Sequence, residues 1–323
     1  MKLKRLLSYN TFWLLILICL SVASISIGVE NFSITSLLKG ESNDITLVVI
    51  SRIPRLMSII ITGAGLAIAG QIMQALTKNK FVSPSTAGTM EWCKLGIMLA
   101  ITVFANAGSV VQTLVAFIIS LIGTLFFMFI LNRIKVKDSA MVPLIGIMLG
   151  GIVSAFTSFV AFRLDIIQNI NSWLSGSFSL ITQGKYEMLY IGLPFLVLGY
   201  IYADKFTISG MGEDFAKGLG INHKTVVFIG LGIIAMITSS VVVTVGSIPF
   251  IGLVIPNIVS MFKGDNLKGS IMLTAIVGSV FVLVCDIIGR IVIFPYEISV
   301  SLIISVIGSA VFLTMLLRRN KNA

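Results

Sequence analysis

The sequence is poor in charged and metal-binding side chains. Only 11% of its 323 residues are Asp, Glu, Lys or Arg, whereas a soluble domain carries about 25%. Its single histidine, His223, excludes a histidine-based metal site or catalytic dyad. Its three cysteines, Cys19, Cys93 and Cys285, lie in apolar stretches without metal-ligand spacing, and we interpret them as small buried hydrophobic residues. We therefore predict no metal site and no cofactor.

Long apolar runs dominate what is present. Hydrophobic residues make up 57% of the chain, and its mean hydropathy is +1.06. Because hydrocarbon cannot hydrogen-bond exposed backbone groups, such runs are expected to cross a membrane as helices. The basic N-terminus and the run after it could form a cleaved signal peptide, but the run is long enough to span, and we interpret it as a first helix. The predicted fold is an all-α polytopic membrane protein, with one transmembrane domain over residues 1–323.

The apolar runs predict nine long spans and one short segment. They cover residues 12–29, 56–76, 89–105, 112–132, 140–162, 188–203, 225–247, 269–289 and 298–317, and the short segment is PFIGLVIPNIVSMF, residues 249–262.

Charge asymmetry decides whether the short segment crosses. With a cytoplasmic N-terminus and ten crossings, most of the 23 lysines and arginines face the cytoplasm. Without the short segment, Lys263, Lys268 and the basic C-terminus would lie outside, against the positive-inside rule. We therefore predict about ten transmembrane helices in the cytoplasmic membrane, with both termini cytoplasmic. The net charge of +10 then reflects topology, and no nucleic acid partner is predicted.

The stretch GLGINHKT, residues 218–225, is close to the phosphate-binding pattern GxxxxGK[ST]. His223 replaces the second glycine, and no hydrophobic strand precedes the stretch, so a nucleotide site is excluded. The pattern instead predicts a short helix over residues 213–218, broken by Gly220, with Asn222 as the cap of the next span.

Small residues recur at helical spacing in two spans, a pattern that permits close helix packing. They are Gly63, Gly65 and Gly70 in the second span and Gly146, Gly150 and Ser154 in the fifth. We interpret them as packing residues, with direct contact with a transported substrate as the alternative.

Two opposite charges, Glu91 and Lys94, stand three residues apart near the inner start of the third span. An unpaired charge at the membrane centre costs about 2.5–3.5 kcal/mol. We therefore expect the two side chains to pair, to lie near the interface or to line a cavity on a pathway, and we favour a structural pair.

The order of the motifs resembles one family of transport proteins over essentially the whole chain. The stretches are SRIPRLMSIIITGAGLAIAGQIMQALTKNKFVSP, a W-x-x-G-S element at Trp173, Gly176 and Ser177, MGEDFAKGLGIN, GSIPFIGLVIPNIV, DIIGR and YEISVS. Together they are similar to the permeases of iron-siderophore and vitamin B12 importers of the ATP-binding cassette (ABC) class. The variant KNKFVSPSTAGTMEWCKLG resembles the branch that handles catecholate-type ferric siderophores.

The resemblance implies a type II ABC importer permease that performs no bond chemistry itself. It implies a cytoplasmic coupling loop, residues 204–224, that docks on a separate ATPase subunit, and a second permease subunit, identical or similar, with the fifth and tenth spans near the pathway. The residues it assigns to ATPase coupling are Gly212, Glu213, Asp214, Ala216, Gly218, Leu219 and Gly220. Those it assigns to docking of an extracytoplasmic binding protein are Arg52, Arg55 and Arg290. Membrane anchoring or an internal pair with Asp286, four residues before Arg290, is the alternative for the arginines.

Several alternatives stay open. Cobalamin or haem could be the cargo of the same mechanism, and an ion-coupled secondary transporter is a different class that needs buried carboxylates or interrupted helices. The chain also departs from two common patterns of the family: it has PNIVS at residues 256–260 and EISVS at residues 297–301. We assign no essential role to Asn257 or Ser260 and expect both to tolerate alanine.

Overall fold

The protein is a bundle of α-helices, seen in a computed structural model that describes residues 2–27, 46, 48–133 and 141–321. Residues 28, 29 and 140 of two predicted spans lie outside these ranges. The α-helices of the described part are α1 Lys2–Ser26, α2 Ile53–Thr77, α3 Thr89–Val103, α4 Ser109–Arg133, α5 Met141–Arg163, α6 Ile167–Leu174, α7 Gly192–Ile201, α8 Ala203–Met211, α9 Glu213–Gly218, α10 His223–Val245, α11 Ile251–Lys263, α12 Leu267–Ile291 and α13 Val300–Lys321.

All ten predicted segments contain a helix. Within the described residues, five helical stretches are long and apolar enough to cross a membrane, and a sixth arises if the bent pair Tyr186–Ile201 and Ala203–Met211 counts as one span. Three shorter apolar helical stretches cover Val110–Phe126, Ile251–Lys263 and Val300–Met315. The predicted short segment is therefore a helix of 13 residues, Ile251–Lys263.

Helices α2, α10 and α12 form the centre of the bundle, and glycines set how closely they approach their neighbours. A Cβ atom on Gly63 would lie 2.6 Å from the Gly278 carbonyl oxygen of α12, and one on Gly70 would lie 1.9 Å from the Gly252 carbonyl oxygen of α11. Close backbone contact of this kind holds membrane helices together by van der Waals packing. The small-residue pattern in α2 thus serves packing against α11 and α12.

The span predicted over 188–203 ends at a bend. Helices α7 and α8 meet at Tyr202 with a bend of 59°, one residue before the predicted end. The bend allows Phe206 of α8 to be fully buried against α2 and α10, in a cluster with Ile72 and Val226. Hydropathy thus located the span, whereas the direction of α8 depends on this tertiary contact.

Helix α11 begins inside the bundle after an extended stretch, residues 246–250. The stretch pairs with the end of the short helix α6: Ser247 N–H donates to the Leu174 carbonyl at 3.0 Å, and Ser177 N–H donates to the Val245 carbonyl at 3.2 Å. Trp173 Nε1 donates to the Val243 carbonyl at 2.8 Å. Non-helical backbone at membrane depth is tolerated where protein satisfies it. The W-x-x-G-S element therefore supplies partners for the broken end of α10.

Candidate functional site

The cytoplasmic candidate site is the coupling segment around helix α9. The helix runs from Glu213 to Gly218 as predicted, and Asn222 caps α10 by accepting a hydrogen bond from the Thr225 N–H at 3.3 Å. Gly212 and Gly220 flank the helix with φ of +136° and +73°, conformations that glycine adopts most easily. Ala216 is fully buried, so one face of α9 is fixed to the protein.

The opposite face of the segment carries an apolar stripe, which we define as Met211, Phe215 and Leu219. Their exposed fractions are 60%, 51% and 57%. Met211 ends α8, Phe215 lies in α9 and Leu219 directly follows α9, so the three exposed side chains belong to the same short stretch of the segment. Of the three, only Leu219 was expected from the sequence to take part in coupling. The i, i+4, i+8 spacing of large apolar residues in a polar loop was the available signal.

The charged residues of α9 are exposed and partly paired. Glu213 Oε1 accepts from Lys217 Nζ at 2.9 Å, and this hydrogen bond from Lys217 holds the pKa of Glu213 below its ordinary value. Asp214 is exposed. Behind the segment, His223 Nδ1 and Ser209 Oγ lie 2.6 Å apart and join α10 to α8. The segment therefore has an anchored back and an accessible front of three apolar and three charged side chains.

The second candidate region is a network of opposite charges at the other end of the bundle. Arg55 Nη2 donates to Asp286 Oδ1, and its Nη1 donates to Glu297 Oε1, each at 2.9 Å. Arg290 pairs with the second oxygen of Asp286 and donates to the Ser24 carbonyl at 2.9 Å. The network joins α1, α2, α12 and the loop before α13.

These contacts give Arg55 and Arg290 the internal partners that the sequence left as the alternative to docking. Only 7% of the Arg290 side chain is exposed, and Arg52 donates to the Ile25 carbonyl. A docking role for Arg52, Arg55 and Arg290 stays a prediction. It now requires a partner's carboxylates to compete with Asp286 and Glu297 for the two paired arginines.

Glu297 is the more accessible carboxylate of the network, because 21% of its side chain is exposed against 2% for Asp286. Burial alone raises the pKa of Glu297, but hydrogen bonds from Arg55 and from Ser179 Oγ, at 2.7 Å, outweigh it and keep that pKa below its ordinary value. Glu297 therefore stays ionised at neutral pH and fixes the loop that leads into α13.

The expected pair between Glu91 and Lys94 is wrong. Lys94 Nζ donates to Ser158 Oγ of α5 at 2.7 Å, and no ion pair joins the two charges in the described part of the chain. The carboxylate of Glu91 packs against Gly150 instead, and its buried Oε2 has no hydrogen-bond partner among the described residues. Both side chains reach from α3 to α5, because the two residues face the same neighbour.

The small residues of α5 take part in this packing. A Cβ atom on Gly150 would lie 3.2 Å from Glu91 Oε2, and the Gly146 carbonyl lies 2.9 Å from the Cβ position of Gly88. Ser154 is half-buried. The geometry favours packing for Gly146 and Gly150, and their place on a pathway stays a prediction. Among the described residues, no group of three or more His, Cys, Asp or Glu could hold a metal ion.

Asn257, for which the sequence indicates no essential role, makes two hydrogen bonds in the structure, and its tolerance of alanine stays a prediction to be tested. Its side chain is buried, and Nδ2 donates to the Lys80 carbonyl and to the Leu253 carbonyl, each at 2.7 Å. The amide thereby ties α11 to the turn that follows α2. Ser260 donates to the Asn257 carbonyl at 3.0 Å and is half-buried.

Replacing Asn257 by alanine is therefore expected to lower the free energy of unfolding by about 1–3 kcal/mol, because the Lys80 carbonyl loses its donor. Thermal unfolding in detergent measures the change, with Ser260→Ala as the control, expected within about 0.5 kcal/mol of the unaltered protein. Equal melting temperatures for Asn257→Ala and Ser260→Ala would show that the Asn257 amide does not stabilise the protein as proposed.

Comparison with known proteins matches residues 12–318 to the FecCD transport family. The chain is 52% identical to the petrobactin import system permease protein YclN of Bacillus subtilis, over 96% of this chain and 98% of that protein. It is 39% identical to the ferric-anguibactin transport system permease protein FatD of Vibrio anguillarum, over 85% and 87% of the two chains. A solved structure described as an inward-facing metal-chelate type ABC transporter shares the fold, with a TM-score of 0.84, 24% identity and coverage of 96% and 98%.

Proposed function

The chain belongs to the FecCD transport family, and we propose that it is the membrane-spanning permease subunit of an ATP-driven importer that carries a ferric siderophore of catecholate type into the cytoplasm. The observation that carries the proposal is similarity over nearly the full length to relatives named for petrobactin and ferric anguibactin. ATP is hydrolysed on separate ATPase subunits, which drive the permease between outward and inward access.

The buried carboxylate in α12 favours this mechanism over an ion-coupled one. A secondary transporter needs an acidic or interrupted site that can take and release a coupling ion near the midplane. Both oxygens of Asp286 are occupied by Arg55 and Arg290. Asp286 is therefore not free to take up and release a coupling ion.

The proposed partners use three surfaces. The ATPase docks on the coupling segment, an extracytoplasmic binding protein docks at the end that carries the charge network, and a second permease subunit, identical or similar, packs beside the pathway. Helix α5 presents large apolar side chains to its surroundings, with Met148 and Ile152 largely exposed, as expected for contact with lipid or a second subunit. Both termini are cytoplasmic in this arrangement.

Cargo is tested by uptake of radiolabelled ferric catecholate siderophore into cells that carry or lack the gene. Ferric citrate, cobalamin and haem serve as unlabelled competitors. We expect uptake to depend on the gene and to be reduced by excess ferric catecholate alone. Competition by cobalamin or haem, or uptake that ignores the gene, would contradict the assigned cargo.

The apolar stripe gives a direct test of the ATPase partner. Replacing Phe215 and Leu219 together by alanine is expected to weaken ATPase binding about tenfold or more, because burying two large apolar side chains that are exposed in the permease alone favours association. Retention of the ATPase on the purified, tagged permease measures binding. Leu180→Ala, at an exposed apolar residue beside the charge network, is the control. Full retention in the double variant would show that the stripe is not the docking surface.

A further inference from the structure

A cavity of about 520 Å³ lies beside the coupling segment, between the end of α2, helix α8, helix α11 and the start of α12. Its lining includes Gln71, Lys78, Met211, Ser260 and Asn266. Of the functional roles described above, only the apolar stripe reaches this cavity, through Met211.

The cavity contains a buried acceptor that lacks a donor. Gln71 is 8% exposed, and its Nε2 donates to Ser270 Oγ at 2.7 Å. The Ser270 hydroxyl in turn donates to the Asn266 carbonyl, which leaves Ser270 Oγ free to accept from the Gln71 amide. Gln71 Oε1 then has no hydrogen-bond partner among the described residues. Buried polar groups normally have partners, so the cavity calls for an N–H or O–H donor at this point.

A second, cationic group lies where α2 ends. Lys78 adopts a left-handed conformation, with φ of +52°, and its Nζ lies 3.3 Å from the Cβ position of Gly212. In the described part of the chain no carboxylate pairs with Lys78, whereas the neighbouring Lys80 is paired with Asp265 at 2.8 Å. Lys78 is exposed and so offers a cation at the rim of the cavity to an acidic group of a partner.

The two groups belong to different parts of the cavity. Gln71 lies in the last two turns of α2, and Lys78 follows the end of that helix at Thr77. A chain segment can supply an acidic side chain to one and a donor to the other. The cavity also shares Met211 with the apolar stripe, so a protein that covers the stripe also covers the cavity.

We propose that this cavity is a socket for a loop of the ATPase subunit, with an acidic side chain of that loop at Lys78 and an N–H or hydroxyl donor at Gln71 Oε1. The inference rests on the proposed function, because it assigns a second contact to the same partner. The permease then makes two adjacent contacts with the ATPase. It inserts its coupling segment into the ATPase, and it receives a loop of the ATPase in the socket.

Charge reversal tests the socket. Lys78→Glu is expected to weaken ATPase binding about tenfold and to make the loss larger at low salt, because like charges then meet. Gln71→Leu should weaken binding without changing its salt dependence. Lys185→Glu is the matched control, because it makes the same charge change at an exposed residue outside both the cavity and the coupling loop. Binding is measured with the full complex in detergent, using the ATPase that copurifies stoichiometrically with the unaltered chain.

Protection from labelling tests occupancy independently. Cys93 and Cys285 are buried as expected, but the expectation is wrong for Cys19, which is exposed. The experiment therefore uses a Cys19→Ala background, in which Ser260→Cys places a thiol in the socket. N-ethylmaleimide should label it in the permease alone, and bound ATPase should slow labelling at least about tenfold. Protection by inorganic phosphate but not by the ATPase would show an anion site and overturn the socket.

The outcomes separate the two proposals. If the Phe215 and Leu219 double variant releases the ATPase while Lys78→Glu, Gln71→Leu and the labelling rate show no effect, the socket is wrong and the proposed function stands. If no ATPase copurifies with the unaltered chain, the proposed function itself fails.

Discussion

Replacing Gly70 by alanine is expected to remove most of the folded protein. A Cβ atom at this position would lie 1.9 Å from the Gly252 carbonyl oxygen, which belongs to the backbone of α11 and cannot move aside as a side chain can. Helices α2 and α11 would have to separate, and ordinary overpacking of a core already costs about 1–3 kcal/mol. The yield of monodisperse protein after detergent extraction measures the effect.

Gly232 in α10 provides the matched control. No described atom lies within 4 Å of its Cβ position, and alanine favours a helix over glycine by about 1 kcal/mol. Gly232→Ala should therefore leave the yield unchanged or raise it. Recovery of Gly70→Ala protein at the same yield would contradict the close approach of α2 and α11.

Replacing Asp286 by alanine is expected to lower the free energy of unfolding by about 3–5 kcal/mol, because it leaves two largely buried guanidinium groups without a carboxylate. Among the residues that the structure describes, Asp286 alone forms ion pairs with both Arg55 and Arg290. Asp286→Asn keeps the shape of the side chain and part of its hydrogen bonding. Its free energy of unfolding should lie between those of the unaltered protein and Asp286→Ala. Thermal unfolding in detergent, followed by size-exclusion chromatography, measures the order of the variants.

Glu297→Ala serves as the control within the same network. Its side chain is 21% exposed, so water can replace the lost contact with Arg55, and the loss of stability should be clearly smaller than that of Asp286→Ala. If the two variants unfold at the same temperature, the buried carboxylate of Asp286 does not stabilise the protein more than the more exposed carboxylate of Glu297, and the account of the network is wrong.

Features that depend on neighbouring residues in sequence were predictable. Apolar runs located the helices, the acidic start and the glycines bounded α9, and Asn222 was found as a cap because capping is a local hydrogen bond. The charge pattern favoured a crossing for the short segment, because the lysines that follow it would otherwise lie outside. The structure has a helix there, α11, and the crossing itself stays a prediction.

Features that depend on distant partners were not predictable. The bend at Tyr202 follows from burial of Phe206 against α2 and α10, and helix α6 follows from its contacts with the end of α10 rather than from hydropathy. Glu91 and Lys94 looked like a pair because of their spacing, but each has a closer neighbour on α5. The hydrogen bond of Asn257 was not predictable either, because its acceptor, the Lys80 carbonyl, is 177 residues away in sequence.

The measurement that tests the central claim most directly is transport by the purified complex in proteoliposomes. The permease, its ATPase and its binding protein are reconstituted, and accumulation of ferric catecholate siderophore is followed with ATP or with an imposed proton gradient. The account predicts accumulation that requires ATP on the ATPase side and persists when the gradient is collapsed. Accumulation that follows the gradient without ATP would contradict it.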